Sequence, residues 1–76
     1  CFVEYVRNTD LLVRLGKRIR ALRLERKLTQ NELGFICNNH GEQIGRIERG
    51  ELNVTICSLS IISEGLGVEL KDMLDF

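Results

Sequence analysis

The chain has 76 residues, 43% of them hydrophobic and 29% charged, and its formal net charge is zero. A chain this short buries only about 60% of the surface its unfolded form exposes, which leaves room for one domain and too little for a deep catalytic pocket. Three cysteines with no C-x-x-C pair, beside a single histidine, argue against a zinc site or a disulfide framework, and no apolar run approaches the roughly 18 residues of a membrane span.

Residues 1–10 form an N-terminal extension in which residues 2–6 leave a short strand, an arm or a helical turn open. From Leu11 the pattern is helical. Leu12, Leu15, Ile19 and Leu22 recur at spacings of three and four, one apolar stripe behind an Asp10 or Thr9 cap, fading near Arg26 and Lys27. Thr29-Gln30-Asn31-Glu32 is a capping box that opens a second helix from Gln30 to about Cys37, with Leu33 and either Ile36 or Cys37 inward. Asn38-Asn39-His40-Gly41 reads as a tight turn, because Asn tolerates the left-handed backbone region better than most residues.

A third helix is expected from Gly41 to Arg49, with Ile44 and Ile47 inward, Glu42, Gln43 and Arg46 outward, and Gly50 as its stop. Thr55 caps a fourth, whose inward stripe is Ile56, Leu59, Ile62 and Leu66 and which ends at Gly67. A short fifth spans about Leu70 to Leu74. Cys37 and Cys57 read as small core hydrophobes. Five helices with short loops make an all-α fold over residues 11–76. Two short helices joined by a tight turn, second and third in order, are a helix-turn-helix.

Charge supports the same use. Residues 14–49 carry nine Lys and Arg against four Glu, a local excess of five that the acidic ends cancel. A local basic surface, rather than the total, is what phosphate contact requires.

Leu28-Thr29-Gln30-Asn31-Glu32-Leu33, then Ile44-Gly45-Arg46-Ile47-Glu48-Arg49-Gly50, then Leu66-Gly67-Val68 resemble the lambda-repressor-like, Cro-type helix-turn-helix family of transcriptional regulators. The resemblance implies a compact five-helix DNA-binding domain that is not an enzyme and uses no cofactor or metal. Its third helix would read the major groove of double-stranded DNA. It places Gly41, Glu42, Gln43 and Arg46 at the bases, Gln30, Arg49 and Asn53 at phosphates, and Arg23 and Glu48 in a structural salt bridge. The chemistry suits these places. The Arg46 fork matches guanine O6 and N7, Gln43 matches adenine N6 and N7, and Glu42 either accepts from cytosine N4 or favours the helix N-terminus through the dipole.

With so few base contacts, selectivity calls for a homodimer on a pseudo-palindromic operator. The C-terminal region (Leu70, Met73, Leu74, Phe76) is the expected interface, repression the expected outcome, and a prokaryotic cytosol or nucleoid the expected location. The competing reading is a protein-interaction module that keeps this fold without reading DNA.

Overall fold

The computed structural model describes residues 9–37 and 41–76, and within them the chain is all helical: α1 Thr9–Glu25, α2 Gln30–Ile36, α3 Gly41–Glu48, α4 Ile56–Leu66 and α5 Leu70–Met73. The open reading of residues 2–6 and the turn expected at Asn38, Asn39 and His40 lie outside the described residues. Thr9 and Asp10 do not cap α1; both are helical already.

The apolar stripe of α1 is buried as its spacing requires, with Leu12, Leu15, Ile19 and Leu22 joined by Gly16 and Arg23. It meets Leu33 and Cys37 from α2 and its C-cap, Ile44 and Ile47 from α3, and Leu59, Ile62 and Leu66 from α4 in one core. Cys37, not Ile36, is the inward residue at the end of α2, and Ile36 is half exposed. The capping box forms as expected: the Glu32 amide donates to Thr29 Oγ1 at 3.0 Å and the Thr29 amide donates to Glu32 Oε1 at 2.7 Å. Thr55 likewise accepts from the Ser58 amide at 3.1 Å and starts α4.

Two expectations fail at the start of α4. Ile56 and Cys57 are exposed, Cys57 because the helical period turns it away from the core; the buried stripe begins at Leu59 and includes Ser63. A third fails at the C-terminus. Met73 is fully buried in the core, where α5 lies against α1 and α4, so it cannot line an interface. Leu70 packs partly against the same core, and the face left outward by this segment is Leu74 and Phe76. Phe76 itself lies beneath Arg14, whose guanidinium sits 5.2 Å from the ring centre.

Three helices end in the same hydrogen-bonded turn. After α3 the Glu51 amide donates to the Arg46 carbonyl at 2.9 Å and Gly50 to Ile47 at 3.0 Å; after α4 Val68 donates to Ser63 and Gly67 to Glu64. Both glycines take the positive φ this turn needs. After α1 the same pair of bonds forms, Leu28 to Arg23 and Lys27 to Leu24, but the left-handed position is filled by Lys27 at φ 57°.

Gly16 lets α1 and the end of α3 touch backbone to backbone. A methyl group there would stand 2.6 Å from the Ile47 carbonyl oxygen and closer still to that of Glu48. Overpacking against backbone costs up to about 3 kcal/mol, against a helix-propensity gain of about 1 kcal/mol for replacing a glycine. Gly16→Ala is therefore expected to lower stability by roughly 2 kcal/mol, seen as a drop of about 10 °C in the thermal midpoint of a domain this size. An unchanged midpoint contradicts this packing.

Candidate nucleic-acid interface

The outer face of α3 follows from its inner one. Ile44 and Ile47 are sunk in the core, so the 3.6-residue period turns Glu42, Gln43 and Arg46 to the surface, and all three are exposed. Gly41 is the first residue of the helix and brings no side chain to it. Gln43 borders a cleft that runs on to Asn53, Thr55 and Ser58 at the entry to α4, so Asn53 lies on the same side of the domain.

Arg23 and Glu48 pair as the resemblance implies. Arg23 Nε donates to Glu48 Oε2 at 2.6 Å and Nη2 donates to Oε1 at 3.1 Å, with both side chains more than nine-tenths buried. The remaining guanidinium nitrogen, Nη1, donates to the Leu28 carbonyl at 2.7 Å. Glu48 Oε1 also accepts from the Gln30 side-chain amide at 3.2 Å. One carboxylate thus ties α3 to α1 and to the first residue of α2. No buried side-chain nitrogen or oxygen among the described residues lacks a partner.

The Gln30 side chain, expected at a phosphate, is engaged within the domain instead of standing clear of it. It is half-buried and turned onto α3, where Gly45 makes room: a methyl group there would come within 3.1 Å of Gln30 Oε1 and 3.2 Å of Arg49 Nη1. The Gln30 and Arg49 side chains both lie over this bare spot of helix.

The residue that sequence reasoning missed is Glu51. Its carboxylate accepts from Arg49 Nε at 2.8 Å and Nη2 at 3.4 Å, and stands 3.8 Å from Arg46 Nε. The hydrogen bond to Glu51, and then its charge, raise the pKa of the exposed Arg49 guanidinium above its usual value. The signal for this was present in Gly50, whose left-handed turn folds residue 51 back beside Arg46. Among the described residues no group of acidic, Cys and His side chains could hold a metal ion. Of the cysteines described, burial pushes the Cys37 thiol up, and Cys57 is exposed.

A family model described as helix-turn-helix matches residues 19–73. The control protein C.BamHI of Bacillus amyloliquefaciens is 42% identical over 70 residues, which cover 91% of this chain and 86% of that protein. The immunity repressor protein of Bacillus phage phi105 is 36% identical over 57 residues, 75% of this chain and 40% of that protein. Among solved structures, the restriction-modification controller protein C.AhdI from Aeromonas hydrophila superposes with a TM-score of 0.83 at 29% identity, over 86% of this chain and 94% of that one.

Removing one member of the buried pair strands the other. Glu48→Gln leaves the Arg23 guanidinium without a counter-ion, at an expected cost of about 3–5 kcal/mol, enough to unfold most of a domain this small. The double variant Arg23→Met with Glu48→Leu removes both charges and is expected to recover most of that loss. Urea unfolding checks both; a loss below about 1 kcal/mol in the single variant contradicts the pairing.

Proposed function

The chain belongs to the helix-turn-helix family, as a DNA-binding transcription regulator of the restriction-modification controller type, and from that premise we propose that it reads the major groove of an operator with α3. The observation that carries this reading is the pairing of a locked inner face with an open outer one. Ile44, Ile47 and Glu48 are buried, while Gln43 and Arg46 stand clear of the core. A side chain that must find a base edge within hydrogen-bonding distance gains from a helix that cannot roll.

In this reading Arg46 takes a guanine, Gln43 an adenine, and Glu42 filters by accepting from cytosine and repelling phosphate. Gly41, at the tip, lets the helix approach the base pairs closely. Arg49, Asn53 and the start of α2 at Gln30 hold the phosphates on either side. None of these contacts is base-specific, so they set register rather than sequence.

The reading includes a homodimer. Two α3 helices about 34 Å apart would meet two half-sites one turn of duplex apart, which matches a pseudo-palindromic operator. With Met73 in the core, Leu74 and Phe76 are what the C-terminal segment offers to such an interface. Repression by occupancy of the operator is the outcome proposed, in keeping with the likeness to an immunity repressor protein. A prokaryotic cytosol is the setting this implies; no helix among the described residues is long and apolar enough to cross a membrane.

Selection of bound duplexes from a random pool tests the whole reading. The enriched sequences are expected to carry two inverted half-sites one turn apart. Arg46→Ala is expected to relax preference at one base pair per half-site, by about 5- to 150-fold. Arg49→Ala is expected to weaken all duplexes alike and to lower the salt slope by about one. No enrichment at any salt overturns the reading, and enrichment of single half-sites overturns the dimer.

A further inference from the structure

We propose that Glu51 is an internal competitor for the DNA backbone, a carboxylate on the Arg49 fork that a phosphate group must displace or share when the domain binds a duplex. The inference rests on the DNA-binding reading above and extends it to a residue with no assigned role.

Three observations carry it. First, one carboxylate serves two cations: Arg49 reaches it through Nε at 2.8 Å and Nη2 at 3.4 Å, and Arg46 Nε stands 3.8 Å away. These are the two arginines on which base and phosphate recognition depend. Second, the backbone of Glu51 is held in place. Its amide donates to the Arg46 carbonyl at 2.9 Å across the left-handed turn at Gly50, so the carboxylate is tethered next to both guanidinium groups. Third, the cluster is open. The Arg46, Arg49 and Glu51 side chains are each about half exposed, so a duplex lying on α3 meets them directly.

The chemistry follows from shape and charge. A guanidinium presents a planar fork that fits a carboxylate and a phosphate equally well. An approaching phosphate must therefore displace Glu51 from Arg49 or share the fork with it. Either way it meets a negative charge well inside the screening length of about 10 Å at 0.1 M salt. The competition lowers affinity for every duplex, whatever its sequence, and so checks non-specific binding through Arg46 and Arg49.

The test is fluorescence anisotropy with a labelled random-sequence duplex and a selected operator duplex, from low to physiological salt. Glu51→Gln is compared with the full chain and with Glu69→Gln, which removes a carboxylate paired with Lys71 elsewhere on the surface. Glu51→Gln is expected to tighten both duplexes about fivefold and to steepen the salt dependence by about one in slope, with Glu69→Gln changing affinity less than twofold. Glu51→Gln no tighter than Glu69→Gln overturns the proposal. So does weaker binding, which would make Glu51 a residue that positions the arginines. If the unaltered chain binds neither duplex at any salt, the DNA-binding reading falls first and the proposal with it; thermal melting of each variant separates these outcomes from loss of the fold.

Discussion

The buried ion pair between Arg23 and Glu48 is the constraint on which the rest of this domain depends. Two short helices of seven and eight residues have little stability of their own, since isolated helices of fewer than about 12 residues are marginal in water. What gives α3 a fixed roll is a carboxylate on its last residue that meets the guanidinium of α1 by two hydrogen bonds and the side chain of Gln30 by a third. The Arg23 Nη1 bond to the Leu28 carbonyl extends the same network into the turn before α2. Charges taken out of water recover their desolvation cost only when geometry is good and every donor and acceptor is used. Here they are used.

Gly16 and the ion pair work together. The absence of a side chain at Gly16 brings the carbonyls of Ile47 and Glu48 against α1, and that proximity sets the reach over which Arg23 meets Glu48. The consequence is felt on the opposite face of α3, where Gln43 and Arg46 point outward. A chain of zero net charge can hold a basic middle because seven of its eleven acidic residues lie outside residues 14–49. Glu51, just past that stretch, is placed by the turn at Gly50 beside Arg46 and Arg49.

Most of the fold was legible because it rests on local rules. The stripe of α1, the capping box at Thr29, the Thr55 cap and the glycine stops of α3 and α4 each announce themselves in a few neighbouring residues. The exceptions needed tertiary information. The end of α1 near Arg26 and Lys27 was expected, but not that Lys27 would take the left-handed position that favours glycine, in a turn held by the Leu28 and Lys27 amide bonds. Met73 sits in a helix of four residues, too short for periodicity to show which face is inward. Ile56 has an apolar side chain near the phase of the buried stripe and is still exposed, while Cys57 falls on the opposite side of the helix from Leu59, Ile62 and Leu66. In the site, Gln43 and Arg46 followed from the inward phase of Ile44 and Ile47, and the Arg23–Glu48 pair from family resemblance. The clamp by Glu51 and the lean of Gln30 onto Gly45 depend on how the chain returns after a turn, which spacing alone does not encode.

The most direct test of the account is amide chemical-shift mapping of the chain as a selected duplex is added. The account predicts the largest changes at Glu42, Gln43 and Arg46 on α3, followed by Gln30, Arg49 and Asn53, while the core positions around Leu33 and Ile62 stay unchanged. Changes confined to the exposed apolar side chains Phe35, Ile36 and Ile61, with α3 silent, would contradict it.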